Sequence, residues 1–93
     1  MATFIMLTNL TADGVKTLKS TPGRVQEVNK EVEQLGARVL DQWAVLGPYD
    51  FISVVEAPDE ATMAKVSVEL GSRGTITSQT LAAIPAEEFA GSL

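Results

Sequence analysis

Ninety-three residues, 45% hydrophobic and 20% charged, suffice for one compact domain and not for two. Cysteine and histidine are both absent, which excludes disulfides, thiolate nucleophiles, imidazole bases, and zinc, iron–sulfur or haem ligation through those side chains. Seven basic against twelve acidic residues give a net charge of -5, the wrong sign for binding nucleic acid or an anionic membrane.

The N-terminal run Met1 to Leu7 is apolar. It lacks the basic leader and cleavage site of a secretory signal, and no apolar run approaches the roughly 20 residues of a membrane span. The expected location is therefore cytoplasmic. Within Thr3 to Asn9, both alternating sets are apolar, Phe4 and Met6 on one and Ile5 and Leu7 on the other, as in a strand buried on both faces. Thr11 to Ser20 shows no long period, although Val15 and Leu18 can share a helical turn, and it reads as a structured connector.

Thr21-Pro22 reads as a helix start, with Thr21 as N-cap and Pro22 at a position that needs no donor. Val25, Val28, Val32 and Leu35 then recur at spacings of three and four, and Gly36 stops the helix. Arg38 to Leu46 reads as a second strand and Phe51 to Glu56 as a third, joined through Gly47-Pro48-Tyr49-Asp50 as an antiparallel hairpin. Pro58-Asp59 ends the third strand and caps a second helix, whose buried stripe is Met63, Val66 and Leu70 and whose stop is Gly71. Gly74 to Ile84 fits a fourth strand, and a short tail, Ala86 to Leu93, follows Pro85.

The order β-α-β-β-α-β is the α+β, ferredoxin-like arrangement: an antiparallel four-stranded sheet with two helices on one face. Two helices cover only one side of such a sheet, yet the first and third strands are apolar on both. An uncovered face of that kind exceeds the apolar patch a soluble monomer tolerates. The expectation is a homo-oligomer packed through the open sheet face, with Phe51 assigned to that face. The competing reading has the N-terminal connector and the C-terminal tail folded over it.

Gly47-Pro48-Tyr49-Asp50 in the hairpin, Glu56-Ala57-Pro58-Asp59 after the third strand, and Gly14, Lys19, Thr21-Pro22 and Arg24 ahead of the first helix resemble the GYD-domain family. The resemblance spans nearly the whole chain, 1–93 as a single domain, with Pro48 departing from a contiguous glycine–tyrosine pair. It implies a ferredoxin-like, dimeric α/β-barrel type of fold and carries no defined activity.

Six residues are candidates for ligand contact: Tyr49, Asp50, Arg24, Lys19, Trp43 and Glu56. Tyr49 and Asp50 serve either as turn chemistry or as the mouth of a cleft, with Asp50 as acceptor or base and Tyr49 orienting a ligand. Lys16, Lys19 and Arg24 are the local basic concentration, near a helix N-terminus, and either stay solvated or hold a carboxylate or phosphate. Arg24, expected at the third helical position, is unfavourable to the helix dipole and calls for a partner such as Asp50, Glu56, a neighbouring subunit or an anionic ligand. Trp43 reads as core, interface or stacking wall, and Glu56 as solvent-facing, Arg-paired or cleft-lining.

The carboxylates are scattered without a calcium loop, and neither a metal nor a cofactor is expected. The preferred reading is an oligomeric module that binds a small anionic or aromatic ligand or a protein partner. The alternative is a cofactor-free enzyme acting on a small apolar or aromatic acid, and no catalytic residue is assigned.

Overall fold

A computed structural model describes residues 1–93. Strands β1 (Ala2–Leu10), β2 (Arg38–Ala44), β3 (Phe51–Ala57) and β4 (Ile76–Ala83) form one antiparallel sheet in the order β2-β3-β1-β4. Helices α1 (Ala12–Ser20), α2 (Arg24–Gln34), α3 (Glu60–Gly71) and α4 (Ala86–Gly91) complete the chain. The expected ferredoxin-like order is therefore present, with α1 and α4 added to it. No helix is long and apolar enough to cross a membrane.

The core lies between the sheet and its helices. Phe4 and Met6 of β1 and Val55 and Ala57 of β3 pack with Val32 of α2 and Met63, Val66 and Leu70 of α3. Strand alternation sends every second residue to that side. Registry then aligns Met6 with Ser53 and Thr80, and Thr8 with Phe51 and Ser78. Phe51 consequently belongs to the helix side. The alternating partners Ile52 and Val54 occupy the open side, which corrects the expectation for Phe51.

Local chemistry sets the element ends. Asp59 accepts a hydrogen bond from the Thr62 amide at 2.8 Å and caps α3 as expected. At the end of α2, Gly36 adopts φ +100°. Its N–H donates to Glu33 and that of Ala37 to Val32, a Schellman closure in which buried Ala37 follows buried Val32.

Several boundaries differ from the sequence-based expectations: β2 ends at Ala44 rather than Leu46, and β4 runs Ile76–Ala83 rather than Gly74 to Ile84. Thr21 terminates α1 and does not cap α2; its carbonyl accepts from the Arg24 amide, making Thr21 to Arg24 a tight link between two helices. Arg24 is accordingly the first residue of α2, not the third. The glycine with left-handed backbone after α3 is Gly74, at φ +76°, while Gly71 remains helical.

The stretch read as a connector is helix α1. Thr11 caps it by accepting from the Gly14 amide, and the same hydroxyl donates to the Gly74 carbonyl at 2.7 Å. The helix buries Gly14 and exposes Val15. A Cβ at Gly14 would stand 2.0 Å from the Thr75 carbonyl oxygen, so absence of a side chain lets α1 lie against the entrance to β4. Gly14→Ala should lower stability by about 1–3 kcal/mol through overpacking, against the roughly 1 kcal/mol that alanine gains in a helix. The urea midpoint reads this directly. Gly23→Ala, whose Cβ meets nothing within 4 Å, should change stability by no more than about 1 kcal/mol; equal effects at the two positions would contradict the close approach.

Candidate functional site

The sheet presents two different surfaces. On the open side stand Ile5 and Leu7 of β1, Ile52, Val54 and Glu56 of β3, Trp43 of β2, and Gln79 and Leu81 of β4, aligned by strand register. Trp43, opposite Ile52, is 52% exposed, and Leu81, opposite Ile5, is 48% exposed. Helix α1 packs on the other side, against β1 and α2. Helix α4 has no buried residue, and Phe89 at its centre is half-exposed. The reading in which connector and tail wrap over the open face is therefore not realised in the single chain.

Three of the six candidate residues belong to this face or its rim. Trp43 lies on the β2 edge. Glu56 is in register with Arg38 of β2, but the two form no ion pair. Tyr49 reaches across from the hairpin and donates its hydroxyl to Gln79 Oε1 at 3.1 Å, closing one side of a shallow hollow that also includes Leu7, Asn9 and Thr77. Gly47, at φ +114°, makes the turn before Pro48, whose peptide bond is trans.

Asp50, adjacent in sequence, is used differently. Its Oδ2 accepts from the Leu10 amide at 2.8 Å, its own N–H donates to the Thr8 carbonyl, and its carbonyl accepts from Val45. These bonds tie the hairpin to the end of β1, where the ladder runs out of partners. Such a carboxylate acts as a local substitute for a strand.

Arg24 lies on the helix side of the sheet and does not meet Asp50 or Glu56. Its Nη1 donates to Glu27 at 3.0 Å and Glu31 at 3.3 Å. Glu31 also accepts from Arg73, which bonds Glu69 at 3.5 Å. Residues distant in sequence thus meet in one ionic chain, linking α2 to the end of α3. The Glu31 carboxyl is held below the usual carboxylate range, first by the hydrogen bond from Arg73, then by the charges of both arginines. Lys19 stays exposed in the last turn of α1, where a cation complements the helix dipole.

Arg24 and Arg73 also line a cavity of about 170 Å³ between the α1–α2 layer and the sheet. Its apolar wall includes Met6, Val28, Val39 and Phe51. Across its floor, Asn29 donates to Gln42 at 2.9 Å and Gln42 to Ser53 at 3.0 Å. None of Thr8, Asn29, Gln42, Ser53 and Arg73 is among the six sequence candidates. Strand alternation carried a signal for two of them: Thr8 follows Phe4 and Met6 in one buried set, and Ser53 separates Phe51 from Val55 in another.

The depressed Glu31 carboxyl fixes a sign. A group whose acidity increases on folding contributes stability above its unfolded pKa, about 4.3, and that stability is lost as pH falls through the folded value. Glu31→Gln should therefore lower the urea midpoint at pH 7, and the deficit relative to wild type should shrink once the pH falls below the folded value. A deficit of equal size at both pH values would show that packing, not charge, is responsible.

A model of the GYD domain matches residues 4–93. A protein of Thermus thermophilus named "Glutamine synthetase and cystathionine beta-lyase binding protein" is 52% identical over 90 residues, 96% of this chain and 95% of that one. Among solved structures, TTHA0845, also of Thermus thermophilus, shares the fold with a TM-score of 0.61 at 24% identity, covering 92% of this chain and 96% of its own. FFRP-DM1 does so with a TM-score of 0.61 at 23% identity, covering 90% and 100%. With its hairpin Gly47-Pro48-Tyr49-Asp50 and a match over almost its full length, the chain belongs to the GYD domain family.

Proposed function

We propose that this protein is a self-associating, non-catalytic binding module whose partner is another protein. The observation that carries the reading is the open sheet face: an apolar centre of Ile5, Leu7, Ile52 and Val54 with half-exposed Trp43 and Leu81 beside it. Leaving such a surface in water is unfavourable by roughly 25 cal/mol for each Å² of apolar area. Tryptophan is among the residue types most enriched at the energetically dominant positions of protein interfaces.

The occupant of this face is a second copy of the chain. Arg38, Asp41 and Glu56 place both signs of charge along the β2–β3 side of the face. Under two-fold symmetry, a patch of mixed sign can oppose its own image, so that Arg38 of one copy meets a carboxylate of the other. The same face therefore offers an apolar centre and a charge pattern complementary to itself.

The paired module then engages its partner through surfaces outside the sheet. The name of the Thermus relative supports this direction, since it describes a protein that binds two enzymes. For this chain the proposed partners are enzymes of those two kinds, glutamine synthetase first. Candidates Trp43 and Glu56 take part in self-association, whereas the Tyr49 hydroxyl is engaged by Gln79 within the chain and Lys19 remains free to contact a partner.

Val54→Asp places a carboxylate at the centre of the face without touching the helix-side core. It should convert the dimer to a folded monomer, as read by light scattering and circular dichroism, while Tyr49→Phe leaves the assembled mass unchanged. A fully dimeric Val54→Asp variant would refute the assigned face. Purified wild-type protein, immobilised, should retain purified glutamine synthetase and release it in competition with soluble protein; no retention of either enzyme would refute the proposed partners.

A further inference from the structure

The cavity on the helix side is independent of the open face, and its polar groups are not fully used. Thr8 and Ser53 are 8% and 4% exposed, and both line the cavity. The Thr8 hydroxyl makes no hydrogen bond within the chain. Ser53 Oγ accepts from Gln42 and has its own hydrogen to give; Asn29 donates to Gln42 and its Oδ1 accepts from no protein donor. No fully enclosed side-chain polar atom of the chain lacks a partner, so these unused bonding positions open onto the cavity, where a ligand or ordered water can meet them. Here Thr8, Ser53 and Asn29 line a common space walled by Met6, Val28, Val39 and Phe51.

Size and charge narrow what fits. A protein cavity of about 150 Å³ holds a benzene molecule, and this one is about 170 Å³. The two guanidiniums at its boundary are engaged by three carboxylates, Glu27, Glu31 and Glu69. That ionic chain has an excess of negative charge, and an anion entering beside it would have to displace Glu31 from two arginines. The interior polar groups are all neutral. We infer that the cavity is a binding site for a small uncharged aromatic molecule carrying one hydroxyl group, the ring seated on the apolar wall and the hydroxyl bonded to the Thr8–Ser53–Asn29 group. This departs from the anionic ligand expected for Arg24: its guanidinium closes the site and does not supply the recognition.

The three methionines make the test direct. Met6 lines the cavity, Met63 is buried in the core outside its lining, and Met1 is exposed at the terminus. With methyl-labelled methionine in the full chain, phenol should shift the Met6 methyl resonance saturably while Met1 stays in place. In the same wild-type protein, benzoate at neutral pH should bind at least tenfold more weakly than phenol. Thr8→Val preserves shape and removes the hydroxyl; it should weaken phenol roughly five- to tenfold and leave benzene within about twofold. Should that variant fail to fold, Ser53→Ala gives the second comparison. An unmoved Met6 methyl, benzoate binding as tightly as phenol, or equal losses for phenol and benzene in the folded variant would each overturn the inference. These outcomes are read without reference to self-association, so they are separable from the fate of the open face.

Discussion

A four-stranded antiparallel sheet has two faces, and the helices of this chain cover one. That constraint organises the rest of the molecule, because β1 and β3, the two central strands, carry apolar residues on both alternating sets. On the covered side, Phe4, Met6, Val55 and Ala57 bury against α2 and α3. On the other side, Ile5, Leu7, Ile52 and Val54 are only partly screened by their neighbours in the sheet. Central strands that are apolar on both faces are stable in water only when both faces have a covering layer. The self-association proposed above supplies the second layer, and it places family membership, fold and a binding role in one physical frame.

The covered side is itself not a uniformly filled core. Helix α1 approaches β4 through Gly14, and α2 begins after a three-residue link, so the two helices lie over the β1–β3–β2 region with space beneath them. Dense packing is concentrated under α3, where Met63 and Val66 are almost completely buried. The opposite end of the layer is joined by polar contacts: the Asn29–Gln42–Ser53 ladder inside and the Arg24–Glu31–Arg73 chain at the boundary. Interiors close to native density leave few voids larger than water. A cavity flanked by neutral donors and acceptors is therefore a place with chemical consequences, and its contents bear on how α1 and α2 are held.

The strands and two larger helices were legible because period and punctuation agreed. Val28 and Val32, Met63, Val66 and Leu70 fell at helical spacing, and Gly36 and Asp59 marked their ends. Helix α1 was missed because its buried position is a glycine and its valine faces water, so apolar periodicity carried almost no signal; the Thr11 cap was the available cue. Phe51 was assigned to the wrong face because both sets of β3 are mainly apolar and each carries one polar residue, Ser53 in one and Glu56 in the other. Asp50 was read either as turn chemistry or as part of a cleft mouth, and its partner, the Leu10 amide, lies 40 residues away. The pairing of Arg24 with Glu31 and Arg73 depends on tertiary approach, for which neither spacing nor composition offers a pattern.

Trp43, the sole tryptophan, stands on the open face in register with Ile52 and is half-exposed in the single chain. Its emission wavelength reports whether the face is covered, so the most direct measurement is fluorescence of the unmodified protein over a dilution series. The account predicts a blue-shifted, water-protected emission at high concentration that moves to longer wavelength as dilution separates the copies. Emission typical of a water-exposed indole at every concentration would contradict it.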